Sequence, residues 1–163
     1  MHRVKDITII AILAAILFVQ EQALSFLPNI QLTVFLLVLY SKTLKLWKVL
    51  LIIFIHVLLD NLFMGSISIY YFPFMFLGWS MVPIVINIFF KNNENPIILA
   101  IVGFGCSFIY CWMFAIPQVL FTETSLIAYL AVDVLFEVIL AISSFLTILW
   151  LFKPCYNIMK KLN

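Results

Sequence analysis

Charge is what this sequence has least of. Only 10% of its 163 residues are Asp, Glu, Lys or Arg, against about 25% in an ordinary soluble domain. So little polar surface cannot cover a water-soluble globule. A net charge of +2, spread this thinly, makes no basic patch for nucleic acid. Cysteine is scarce as well. Cys106, Cys111 and Cys155 are odd in number, and the first two share one apolar segment. They form no disulfide framework and read as small packing residues. The motifs of soluble catalysis are missing too: there is no HExxH, no paired CxxC and no phosphate-binding glycine loop. Gly103-Phe104-Gly105 lies inside an apolar stretch without the preceding strand that a dinucleotide site needs. Ser, His and Asp occur without a nucleophile elbow. The chain reads as a non-enzyme with no cofactor and no ATPase of its own, so any active transport would draw on a gradient or a partner.

What is present is hydrophobicity. Apolar residues make up 66% of the chain, and the mean hydropathy is +1.24. The length allows one domain, residues 1–163, and the class is an all-α, polytopic membrane protein of the cell membrane, a bacterial plasma membrane. Arg3 and Lys5 precede an apolar run in the manner of a signal peptide. The run continues from Ala11 through Phe18 into QEQ with no small-residue cleavage site, so it is expected to stay as a first helix.

Polar punctuation divides the chain into six expected helices: Ile7–Ala23, Ile30–Tyr40, Trp47–Met64, Tyr70–Phe90, Pro96–Ile116 and Ser125–Phe152. The second is shorter than the about 20 residues of a usual span. It must be tilted, extended by its flanks or sheltered by neighbours. With six spans, Arg3, Lys5, Lys42, Lys45, Lys48, Lys91, Lys153, Lys160 and Lys161 all fall on one side, which the positive-inside rule makes cytoplasmic. Both termini are then expected inside.

The carboxylates run the other way. Glu21, Asp60, Glu123, Asp133 and Glu137 fall in the outer half with no Lys or Arg, and only Asp6 and Glu94 lie on the inner side. Ionisable groups within membrane helices are costly, face the protein interior and mark functional sites. Asp133 and Glu137, spaced i, i+4, share a face of helix 6. They either bond to neighbouring helices or line an outward cavity of negative potential that favours a cationic or hydrogen-bond-donating ligand. His56 and Asp60, also i, i+4, read as a structural pair rather than a metal site, since two ligands on one helix are a weak signal. Trp79 and Trp112 stand out among the aromatics, because a buried indole N–H wants an acceptor and a flat ligand wants a face. Trp47 and Trp150 read as interface anchors. Ala11 and Ala15, with Ala14 beside them, make a small-residue stripe where another helix can approach, within the bundle or from a partner.

A short membrane chain with six helices, both termini inside and AILAA early in helix 1 resembles the substrate-binding S components of energy-coupling factor transporters. That resemblance implies capture of a vitamin or related micronutrient from outside. Its implied partners are a transmembrane coupling protein, met by Ala11 and Ala15, and two cytoplasmic ATPases, in a lipid bilayer. It further implies an outward pocket closed by the loop between helices 1 and 2. Carried onto this chain, the pocket residues are Asn29 and Gln31 from that loop, Trp79 from helix 4, Trp112 from helix 5, Gln118 and Glu123 from the next outer loop, and Asp133 and Glu137 from helix 6, with Asp60 and Asn61 behind them. Pro28 would end the preceding helix, and Gln20 to Gln31 would form the gating loop and its hinges. The acidic outer half argues for a neutral or cationic nitrogen heterocycle and against a strongly anionic ligand such as folate. Two rivals remain open: a non-transporting scaffold of the rod-shape-determining MreD type, and a small proton-coupled carrier that uses Asp133 and Glu137 as its proton site.

Overall fold

A computed structural model describes residues 2–122 and 124–162, the side chains of 2, 3 and 162 excepted. It contains six helices and, among the described residues, no strand: α1 (His2–Ala23), α2 (Thr33–Thr43), α3 (Leu46–Phe63), α4 (Phe72–Phe89), α5 (Pro96–Thr122) and α6 (Leu126–Leu162). Four of them, α3, α4, α5 and α6, are long and apolar enough to cross a membrane.

The shortest helix is the centre. α2 packs against all five others, and every residue from Thr33 to Ser41 is buried. A helix that is apolar on all sides is stable only when protein or lipid covers all of it, and here the cover is protein. The remaining helices run around it in the order α1, α3, α4, α5, α6, each touching the next. Among the described residues α6 does not close the ring onto α1. The gap is an apolar groove of about 450 Å3 floored by Leu36, Leu39 and Tyr40 of α2.

Two helices are longer than their apolar runs suggest. α5 continues through Pro117 to Thr122, so Gln118 stands on a helix rather than in the following loop. The apolar residues Val119, Leu120 and Phe121 carry the helix on, and membrane helices tolerate a proline where neighbours satisfy the freed carbonyl. α6 likewise passes through Pro154 and ends at Leu162.

Charge separates along the bundle axis. At one end Lys48 donates to Asp6 at 2.6 Å and ties the starts of α3 and α1. Lys42 donates to the carbonyls of Phe90 and, at 2.9 Å, Lys91. This covers the open end of α4 as cationic side chains do at helix C-termini. The Tyr156 hydroxyl donates to Glu94 at 2.7 Å, with Lys160 3.8 Å from the same carboxylate. The other end collects Glu21, Asp60, Asp133 and Glu137.

Close approach fixes the middle of the bundle. A Cβ on Gly103 would overlap Ile148 Cδ1 of α6 and lie 3.4 Å from Val34 Cγ1 of α2, whereas one on Gly105 would meet nothing within 4 Å. Ser107, one turn on, bonds to Ser144 at 2.9 Å. Gly103→Val is therefore expected to overpack the α2–α5–α6 junction and cost about 1–3 kcal/mol. Gly105→Ala is expected to gain up to about 1 kcal/mol of helix propensity. Unfolding of both variants in detergent checks the contrast.

The basic end carries a pH dependence. The hydrogen bond from Tyr156 holds the Glu94 carboxyl below its ordinary value of 4.5; desolvation opposes it, and the ammonium groups of Lys160, Lys153 and Lys42 add to it. A group depressed in the folded state stabilises fully above its ordinary value and loses that contribution as pH falls through the depressed one. The difference in melting temperature between wild type and Tyr156→Phe should be constant from pH 7 to 5 and shrink below 4.5.

Candidate functional site

At the acidic end, three consecutive side chains of α1 turn to three different partners, as successive helix positions must. Gln20 faces the start of α2: its Nε2 donates to Thr33 Oγ1 at 2.8 Å and to the Leu17 carbonyl at 2.9 Å, while its Oε1 accepts from Leu32 N–H at 2.8 Å. Gln22 faces α3 and donates to Asp60 Oδ1 at 2.8 Å. Glu21 lies between them. Its Oε2 is 3.3 Å from Thr33 Oγ1 and 3.1 Å from His56 Nε2. The run of polarity at Gln20-Glu21-Gln22 thus ties α1 to α2 and α3.

The segment from 24 to 32 continues as turns. The Ile30 N–H reaches the Leu27 carbonyl at 3.3 Å across Pro28 and Asn29, and Asn29 has φ 56°. Proline followed by a left-handed residue is the type II pattern, and Asn is one of the few side chains that adopt it at little cost. Pro28-Asn29 is therefore a turn instruction. The Asn29 side chain donates to the Phe136 carbonyl of α6 at 2.9 Å. Gln31 Oε1 accepts from Thr33 at 2.8 Å, and the Gln31 carbonyl accepts from Ser143 at 3.2 Å. The loop is pinned across the top of the bundle from α1 to α6.

Beneath it lies a cavity of about 250 Å3, lined by Glu21, Gln22, Pro28, Asn29, Gln31 and Asp60 among others. Glu21, His56 and Asp60 each offer one ligand atom, all within 4.8 Å of one another. His56 and Asp60 are 0% and 1% exposed. His56 Nε2 is near Glu21 but out of line for a hydrogen bond. Both ring nitrogens, and Asp60 Oδ2, have no hydrogen-bond partner among the described residues.

The expected site residues divide into three groups. Asn29 and Gln31 line this cavity, with Asp60 at its floor. Asn61 lies beside it, donating to the Val57 carbonyl at 2.9 Å and to Met75 Sδ at 3.6 Å. A second group sits between α5 and α6. The Trp112 indole donates to Glu137 Oε2 at 3.3 Å, and Glu137 is buried with its other oxygen unpartnered among the described residues. Asp133 is one turn away and half-buried. Trp112 is itself 54% exposed and borders an apolar groove with Ile116 and Leu130. The third group is separate. Trp79 is fully buried, stacked on Tyr110 at 3.5 Å, and Gln118 accepts from the Tyr71 hydroxyl at 2.6 Å. Glu123 lies outside the described residues. The partner-facing pair Ala11 and Ala15 is exposed, and the alanine buried against the bundle is Ala14.

Glu21 lines the cavity floor and His56 is buried behind it, within reach of Glu21 and Asp60; neither was expected there. The signals were the QEQ run and the His56–Asp60 spacing. The register of α1 against α3, which joins them, is not written in either segment. No family model, curated protein or solved structure matches the chain.

Gln20 carries the junction. Gln20→Ala leaves the half-buried Leu32 N–H without its side-chain acceptor and removes one of the three bonds at the Thr33 hydroxyl, a loss worth about 1–3 kcal/mol. The expected outcome is lower thermal stability together with faster amide exchange across residues 24–32, while exchange in α5 is unchanged.

Proposed function

We propose that this protein is a solute-capturing membrane subunit of the energy-coupling factor type. In this reading six helices span the cell membrane, both termini and the basic end face the cytoplasm, and the acidic end faces out. The observation that carries the proposal is the polar cavity roofed by the 24–32 loop and floored by the Glu21 and Asp60 carboxylates. No Lys or Arg side chain lines it. Such a floor attracts a cationic or N–H-donating solute and repels an anionic one.

Size sharpens the class. About 250 Å3 falls just under the range of about 300–1,000 Å3 usual for ligand pockets. That suits a single small nitrogen heterocycle, such as a thiamine- or pyridoxine-related compound, and is too small for folate. The roof is held by side-chain bonds at Gln20, Asn29 and Ser143 rather than by a packed core, which is the construction of a segment that can open. The exposed faces of Ala11 and Ala15 support a close approach by a coupling protein, which would bring two cytoplasmic ATPases. The buried neighbour Ala14 already fills the contact within the bundle.

A thermal-shift panel of vitamins and their precursors on the purified protein tests the proposal. A ligand specific for the folded state adds about 4 kcal/mol at a thousandfold excess over its dissociation constant, so a nanomolar ligand is plain. The expected hit is a small cationic or neutral heterocycle, weakened at least tenfold in Asp60→Asn, with folate inert. A flat panel together with no ATPase partner in a pull-down would overturn the reading in favour of a scaffold.

A further inference from the structure

We propose that Glu21, His56 and Asp60 form a binding site for one divalent first-row transition-metal ion beside the acidic-end cavity, which Glu21 and Asp60 line and behind which His56 is buried. The geometry comes first. The three ligand atoms lie within 4.8 Å of one another, and His56 Nε2 and Glu21 Oε2 are 3.1 Å apart. Ligand atoms sharing a tetrahedral zinc ion at bond lengths of about 2.0–2.2 Å lie about 3.4 Å apart, so small side-chain rotations bring all three to bonding distance.

The second observation is unused bonding capacity pointing inward. His56 is 0% exposed and Asp60 1% exposed. Neither imidazole nitrogen, nor Asp60 Oδ2, has a hydrogen-bond partner among the described residues. Buried polar atoms are rarely left so. The Nε2–Oε2 approach is close without being aligned as a hydrogen bond, which is how two ligands stand when they converge on a third body. The other Asp60 oxygen is already oriented: Gln22 holds Oδ1 at 2.8 Å, the kind of outer bond that fixes a metal ligand in place.

Charge gives the third argument. Two carboxylates share this floor, and the groups around it from α1, α2, α3 and the loop include no Lys or Arg. A divalent ion balances both. The donor set of one imidazole and two carboxylates selects a borderline ion such as Zn2+ or Co2+ over Ca2+ or Mg2+, which prefer oxygen alone. Three protein ligands leave a coordination position toward the cavity that Asn29 and Gln31 line. A heterocyclic nitrogen is a suitable fourth ligand, but the metal site does not depend on the solute reading.

Chelator-stripped, tag-free protein in detergent would be dialysed against Zn2+ alone, with bound metal counted by mass spectrometry and the ligand field read from the visible absorption of a Co2+ form. The expected result is one ion per chain in wild type and in His2→Gln. Affinity should fall at least tenfold in Glu21→Gln, a partly exposed and near-isosteric change whose folding is checked by its metal-free melt. In His56→Gln the Co2+ spectrum should change. Wild type without bound zinc, or unchanged affinity in Glu21→Gln, overturns the proposal. No organic solute is present, so a flat vitamin panel and an absent metal are separate results.

Discussion

An eleven-residue helix rises about 17 Å, little more than half of the about 30 Å hydrocarbon core of a bilayer. That shortfall governs the rest of the structure. α2 can exist at this length only because other helices cover every face of it. They can cover it only by standing in a ring, and the chain between α1 and α2 lies over the start of α2 as irregular backbone. Irregular backbone is tolerable at membrane depth where it is enclosed in protein or lines a cavity. The 24–32 segment is enclosed in this way, since its turns close on themselves, its side chains bond to α2 and α6, and Gln20 of α1 accepts from its Leu32 N–H. The cavity beneath it is the space left where α2 stops short.

Polarity follows from the same shortfall. The start of α2 presents free N–H groups within the bundle, and these need partners. Gln20 satisfies the Leu32 N–H, Thr33 is buried among Gln20, Glu21 and Gln31, and the network draws in His56 and Asp60. Once polar groups are committed there, adding carboxylates with their own partners is less costly than placing them elsewhere in an apolar chain. The basic end has no such demand. Its lysines bond outward to helix ends and to Asp6 and Glu94, as charges at a wet surface do.

Much of this was legible in the sequence, and the illegible part has a physical cause. Composition and apolar runs gave all six helices, because burial in a bundle or in lipid leaves a strong one-dimensional signal. The alternatives offered for α2 included shelter by neighbours, and shelter is what its burial pattern displays. Helix ends were less well read at Pro117 and Pro154, where proline's local cost is overridden by an apolar run that continues beyond it. Asn29 and Gln31 lie in the loop over the acidic end, although the expected second helix began at Ile30 and the observed one begins at Thr33. Trp79 and Gln118 were expected beside Trp112 and Glu137, but they face other neighbours. Helix order fixes which end a residue occupies, not which way each helix is rotated. Glu21 shows the same limit from the other side. Its importance depends on α1 turning it toward His56 rather than toward lipid, and a one-residue change in register would have presented Gln20 or Gln22 instead.

The acidic end holds two carboxylate groups rather than one, and the loop touches both. Glu21 and Asp60 lie directly under it. Asn29 bonds to the Phe136 carbonyl, one residue before Glu137, and Ser143 of the same helix holds the Gln31 carbonyl. Lifting the loop would break its two bonds to α6 while uncovering the floor of Glu21 and Asp60. The first event frees the stretch of α6 that carries Asp133 and Glu137, and the second exposes buried charge to water. The same loop is therefore bonded to the helix that carries Asp133 and Glu137 and lies over Glu21 and Asp60. Coupling of this kind needs no long-range pathway. It requires only that one segment, with two arrangements, be bonded at both ends to the sites it joins. The turn at Pro28-Asn29 supplies the stiffness, because a segment that bent freely there would let one site open without the other.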